Sequence, residues 1–145
     1  MGRSEIRISI ARPLAPVFAI YAHPDLWNWA SFQDSRWMSG KPWEVGSRML
    51  IDPGNSFGII VDQVVTHYEA NRRVDYIAHF GGITMQSQVR FRALSENVTA
   101  IESELEFVGS FSRVAGYAVG SAIEQGARQF YEELKRECES KIPVP

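Results

Sequence analysis

Ile6, Ile8 and Ile10 alternate with Arg7 and Ser9 near the start of the chain, within "EIRISIA". A period of two places the isoleucines on one face of a half-buried strand. Pro13 ends it, and "LAPVFAIYA" predicts a short helix whose first turn tolerates Pro16. His23-Pro24 predicts a break, because the residue before proline is pushed out of the helical region. "DLWNWAS" predicts a second short helix, and a loop-like stretch then runs to about Gly46.

A series of strands follows: "SRMLID", "FGIIVDQVVTHYEA", "RRVDYIAHF", "ITMQSQVRFRAL" and "VTAIESELEFVG". Pro53-Gly54-Asn55, Ala70-Asn71, Gly81-Gly82 and "SEN" separate them. Strands joined by such short turns predict an antiparallel meander. Met85, Ser87, Val89 and Phe91 oppose Gln86, Gln88, Arg90 and Arg92; Thr99, Ile101, Ser103, Leu105 and Phe107 oppose Glu102, Glu104 and Glu106. One face of this sheet is therefore expected to be wet and charged, and the other covered. Arginines and glutamates are placed to pair across neighbouring strands on the wet face.

From Phe111 to Glu139 the period changes. Phe111, Ala115, Val119, Ala122, Gly126, Phe130 and Leu134 step mostly by four, and Glu132, Glu133, Lys135, Arg136 and Glu137 solvate the last turns. At about 1.5 Å per residue this predicts a helix of roughly 40 Å, which needs a long curved sheet to cover it.

A length of 145 residues fits one domain. The net charge of -2 offers no strong field for nucleic acid or an anionic membrane. Cys138 is the lone cysteine, so no internal disulfide is possible and a cytoplasmic, reducing setting is expected. The N-terminus lacks an apolar stretch of signal-peptide length, and no stable membrane insertion is expected.

Strand, two short helices, a run of antiparallel strands and a long closing helix: this order resembles the helix-grip fold of the START-like (SRPBCC) superfamily. That superfamily includes birch-pollen-allergen-like and polyketide cyclase/dehydrase-like proteins. "ISIARPLAPVFAIYAHPDLWNWA" is similar to its opening, "KPWEVGSRM" to the segment where a glycine precedes the second strand, and "GYAVGSAIEQGARQFYEELKREC" to its closing helix. The resemblance spans roughly residues 4 to 138. It implies an α+β fold, one START-like domain over 1–145, with a curved antiparallel sheet wrapped around the C-terminal helix. It also implies a small hydrophobic ligand, of lipid, polyketide, quinone or aromatic type, held between sheet and helix. The superfamily has no universal catalytic motif, so the resemblance assigns no catalytic residue.

All four tryptophans, Trp27, Trp29, Trp37 and Trp43, fall within residues 23–43. Indole offers a large apolar area and one N–H donor, which suits a partly wet pocket mouth. The same cluster fits a core plug or a surface patch for a protein partner. On the covered face Tyr76, Phe80, Met85, Phe91, Leu105 and Phe107 mix with Ser87 and Ser103, the blend of a small-molecule site. Ala115, Val119 and Ala122 face them from the helix. Gly116, Gly120 and Gly126 either leave room for a ligand or allow close helix-to-sheet packing. The ligand-binding candidates are thus Trp27, Trp29, Trp37, Trp43, Tyr76, Phe80, Met85, Ser87, Ser103, Phe107, Ala115, Val119 and Ala122.

His23, His67 and His79 lack metal-site spacing, and no phosphate-cradling or dinucleotide motif occurs; no metal and no cofactor are expected. His67 and His79 sit on adjacent strands, with His79 expected on the outer face. Three functions stand: binding of a hydrophobic molecule, a cyclase/dehydratase-like enzyme using the same cavity, or a protein-interaction module. Proton-transfer candidates for the enzyme are Tyr76, His23, Asp25, Asp52 and Arg36, none marked by a neighbour.

Overall fold

The computed structural model describes residues 2–54, 58–80, 82–109 and 113–144, the side chains of 113–117 excepted. Its elements run β1 (Gly2–Ile10), α1 (Leu14–Tyr21), β2 (Asp34–Ser39), β3 (Arg48–Asp52), β4 (Val61–Glu69), β5 (Arg73–Phe80), β6 (Ile83–Ser95), β7 (Val98–Gly109) and α2 (Arg113–Lys141). Phe111, Asn55 and Gly81 lie outside the described residues, and Ala115 and Gly116 outside the described side chains.

The strands form one curved antiparallel sheet in the order β1-β7-β6-β5-β4-β3-β2. β2 to β7 are the meander that the turn signals predict. β1 instead pairs with β7, Gly2 against Phe107 through Ile10 against Thr99. The first and second strands thus occupy opposite sheet edges. The chain between them, α1 and residues 22–33, has to cross from one edge to the other.

Two elements differ from expectation. Residues 25–30 form a series of turns rather than a second helix. Trp27 has φ 45°, which a right-handed helix excludes, and the Ala30 N–H bonds back to the Trp27 carbonyl at 3.0 Å. Within the expected loop, residues 34–39 form edge strand β2, paired with β3. "DSRWMS" has little β-branched content, so tertiary pairing and not local preference makes it a strand.

Alternation on β6 and β7 holds along the inner face: Met85, Ser87, Val89, Phe91, Thr99, Ile101, Ser103, Leu105 and Phe107 are buried. On the wet face Arg92 approaches Glu102 at 3.6 Å and Arg3 bonds Glu104 at 2.9 Å. Such exposed pairs add little. The main favourable term is burial of one continuous apolar cluster that runs through sheet, α1, the tryptophan segment and α2.

α2 has 29 residues, about 43 Å of helix. It packs against β1, β7 and α1. Val119, Ile123, Phe130, Tyr131, Leu134 and Cys138 are its buried side chains, while Ala122 and Gly126 are half-buried. Its C-terminal carbonyls, left without partners in the helix, are met by Arg12. Arg12 Nη2 donates to the Glu139 carbonyl at 2.6 Å and Nε to the Ile142 carbonyl at 2.7 Å. The Thr99 hydroxyl in turn donates to the Arg12 carbonyl at 2.8 Å. Nearer the middle, the Ser4 hydroxyl donates to Glu124 at 2.9 Å, and Gln129 to the Ser31 hydroxyl at 2.9 Å.

Arg12→Ala removes two charge-assisted hydrogen bonds from the end of α2. Urea denaturation is expected to show a loss of about 1.5–3 kcal/mol. Arg12→Lys should not restore it, because an ammonium lacks the planar fork that reaches two carbonyls together.

Candidate functional site

The tryptophan segment is built around the end of α1. A helix terminus leaves carbonyls unpaired, and indole N–H groups meet the ones here. Trp27 Nε1 donates to the Tyr21 carbonyl at 2.9 Å, Trp43 Nε1 to the His23 carbonyl at 2.8 Å, and Trp37 Nε1 to the Pro24 carbonyl at 3.1 Å. Trp43 is a second left-handed residue, with φ 70°. A bulky residue in that region costs about 1–3 kcal/mol, so surrounding packing must hold it. The rings supply that packing: Trp27 lies 5.7 Å from Trp43 and 4.8 Å from Phe130, and Trp37 lies 5.2 Å from Trp43. Trp29 packs 5.2 Å from Phe130, with its buried Nε1 lacking a hydrogen-bond partner.

Between this segment, the concave sheet face and α2 lies a cavity of about 440 Å³. Its apolar wall includes Trp27, Phe32, Ile51, Val61, Met85, Val89, Leu105, Ile123 and Phe130. On the α2 side the small residues Ala122, Gly126 and Ala127 lie among Ile123, Phe130 and Tyr131, and a Cβ added at Gly126 would meet open space. Gly54, Gln125 and Gln129 are lining residues that are also exposed, so the cavity meets solvent between α2 and the β3–β4 connection.

Five hydroxyl groups and an amide interrupt the apolar wall: Tyr21, Tyr76, Tyr131, Ser87, Ser103 and the buried Gln63. The Tyr21 and Tyr76 hydroxyls are 2.6 Å apart, and Tyr131 interacts with both Tyr21 and Ser103. Gln63 Nε2 turns to the Met49 sulfur at 3.2 Å. Burial takes water from all three phenols and disfavours their ionised form. Tyr21 and Tyr76 are pushed well above the ordinary phenol range, and Tyr131 up to about 12. The phenols are neutral at any physiological pH and act as hydrogen-bond partners, not as bases.

No protein-family model and no curated protein matches the sequence. Solved structures do. Protein MLL2253 from Mesorhizobium loti aligns at a TM-score of 0.74 and 18% identity, over 98% of this chain and 100% of that one. A START superfamily protein from Mycobacterium smegmatis aligns at 0.72 and 11% identity, over 95% and 97%. This chain has the helix-grip fold of the START-like superfamily. Norcoclaurine synthase from Thalictrum flavum, solved with dopamine and hydroxybenzaldehyde, shares the fold at 0.74 and 10% identity, over 98% and 88%. At these identities the likeness is one of fold.

In this helix-grip chain, Trp27, Tyr76, Met85, Ser87, Ser103 and Ala122 come together around the cavity. Trp29, Trp37, Trp43, Phe80, Phe107 and Val119 do not line it. Phe80 and Phe107 lie further along β5 and β7 in the core, and Trp43 is buried behind Trp27. Ala115 lies outside the described side chains. Of the proton-transfer candidates, Tyr76 lines the cavity. His23, Asp25 and Arg36 are exposed. Asp52 accepts from the Gly54 N–H at 3.0 Å, fixing a turn at the rim. His67 and His79 do not meet: His79 pairs with Asp62, five residues away from His67 along β4. His79 is exposed, as alternation predicts.

Tyr21, Tyr131 and Gln63 escape sequence reasoning. Tyr21 looks like one more apolar position of a short helix. Tyr131 sits beside Phe130 outside the four-step stripe. Gln63 is a polar residue within a strand, and alternation with Val61 and Val65 was the available signal.

The three phenols make stability depend on alkaline pH. Below the ordinary range, near 10, they are protonated in folded and unfolded chains alike. Above it the unfolded chain releases protons that the folded chain keeps, so stability falls progressively as pH rises through about 12. Tyrosinate absorbance is expected to show these phenols ionising only with loss of the near-ultraviolet circular dichroism of the native fold. Tyr131→Phe should remove part of that dependence.

Proposed function

We propose that this chain binds a small hydrophobic molecule in the cavity between the concave sheet face and α2. The carrying observation is the cavity itself, about 440 Å³ and walled by aliphatic and aromatic side chains with a few hydroxyls. Sites for small molecules fall in the range of roughly 300–1,000 Å³ and share this mixture. The fold supports the reading, since norcoclaurine synthase with the same fold was solved with aromatic molecules bound. The size and apolar lining suit a lipid, polyketide, quinone or aromatic compound.

A cyclase or dehydratase needs a base that removes a proton within the cavity. Among the described residues the lining holds no carboxylate, imidazole or amine, and its phenols keep their protons. The binding reading is therefore favoured over the enzymatic one. A protein-interaction module would turn the tryptophans outward over a filled interior. Here Trp27 and Trp43 are buried, and three indole N–H groups are spent on internal carbonyls. Among the described residues no helix is long and apolar enough to cross a membrane. A cytoplasmic setting is supported by Cys138, a buried free thiol.

Native and denaturing mass spectra of protein purified gently from its own host test the proposal. A mass excess present only in the native spectrum is expected. Gly126→Phe projects a ring into the cavity and should abolish the excess. Gly126→Ala should keep it while stabilising α2 by about 1 kcal/mol, the usual gain of alanine over glycine in a helix. Retention of the same excess by the phenylalanine variant would place the molecule elsewhere.

A further inference from the structure

The polar groups of the cavity are uncharged among the described residues, and hydrogen bonds within the protein do not use all of their protons. Tyr76 on β5 stands directly across from Ser87 on β6, while Ser103 on β7 pairs with Val89, one inward position along. Period-two alternation sends all three to the concave face, where all three line the cavity. They form a hydroxyl band across three strands with apolar side chains on either side.

The band has donors to spare. The Tyr21 and Tyr76 hydroxyls are 2.6 Å apart and share one hydrogen bond. Two phenols carry two protons, and that bond uses one of them. One O–H of the pair is left to donate elsewhere. Among the described residues the Ser87 hydroxyl makes no hydrogen bond to protein, so its proton is free as well. Buried donors of this kind call for an acceptor.

The charge of that acceptor is also decided here. Among the described residues the lining contains no Lys, Arg or His. A carboxylate brought into the cavity would lose its water without gaining a cation. A plain hydrocarbon would leave the spare donors unanswered. A neutral carbonyl oxygen meets both conditions.

We infer that the cavity selects an uncharged, largely apolar molecule bearing a carbonyl-type oxygen, which the hydroxyl band of Tyr76, Ser87 and Ser103 receives. This rests on the ligand-binding reading given above and adds the chemical class.

Calorimetry of the full chain at neutral pH with three probes sharing one ring system tests it: methyl naphthyl ketone, ethylnaphthalene and naphthoate. The ketone is expected to bind about fivefold more tightly than the hydrocarbon, in line with one net hydrogen bond. Naphthoate should bind at least about tenfold more weakly than the ketone. Ser87→Ala, which breaks no hydrogen bond within the protein, should narrow the gap between ketone and hydrocarbon. Tyr76→Phe should do the same where it folds. Equal binding of ketone and hydrocarbon, or preference for naphthoate, overturns the selection of a neutral carbonyl while the cavity still counts as a binding site. Failure of all three to bind overturns both readings together.

Discussion

A single long helix laid on a curved sheet packs closely against only part of it, and the rest of this structure follows from that mismatch. α2 meets β1 and β7 at one edge and α1 near its end. It does not reach down to the inner faces of β4, β5 and β6, where Val61, Gln63, Tyr76, Met85 and Ser87 stand. Ile123, Phe130 and Tyr131 of α2 border the gap, and the small Ala122, Gly126 and Ala127 beside them leave part of it open. A void costs packing energy, because its lining atoms lack partners on one side. The anchors outside the cavity offset that cost: Arg12 on the last carbonyls of α2, the Ser4–Glu124 bond, and the buried Leu134 and Cys138.

The same geometry explains the concentration of indole. With β1 and β2 at opposite sheet edges, α1 and residues 22–33 must cross the open side of the sheet. This crossing segment ends a helix, breaks at Pro24 and holds the bulky Trp27 at positive φ. Irregular backbone needs hydrogen-bond partners wherever water is excluded. Tryptophan supplies an N–H donor and a broad apolar surface in one side chain. Three indole N–H groups satisfy the carbonyls of Tyr21, His23 and Pro24, and their rings cover the turn. Trp27 also forms cavity wall. The segment is chiefly a structural clamp with one face on the cavity.

Neutrality is the chemical character of the interior. Charged residues lie on the outer face, where arginines and glutamates of β1, β6 and β7 pair. Among the described lining residues, polar character comes from hydroxyls and glutamine amides, and burial disfavours the ionised form of the phenols. Such an interior accepts apolar molecules and offers them donors. Among the described residues its lining holds no carboxylate, imidazole or amine. The fold hosts a chemistry that its name alone does not specify, and the particular side chains decide it.

Much of the fold was legible along the chain. Alternation on β6 and β7, the short turns and the four-step stripe of α2 are local patterns, set by where side chains point along a strand or helix. They carried the helix-grip expectation, and they placed Tyr76, Met85, Ser87, Ser103 and Ala122 on inward faces. Two local readings failed where tertiary contacts overrode preference: residues 25–30, held in turns by ring packing, and β2, made a strand by β3. The cavity's membership was the least legible part. Phe80 and Phe107 share inward faces with Tyr76 and Leu105, yet they pack in the core and do not line the void, Phe107 even though it stands across from the lining residue Met85. Tyr21, Gln63 and Tyr131 come from α1, β4 and α2, and no spacing in the sequence joins them. A one-dimensional pattern determines which face of an element is covered. Which of those covered residues surround a space, and which hydroxyls meet across it, is decided only when curved sheet and long helix are brought together.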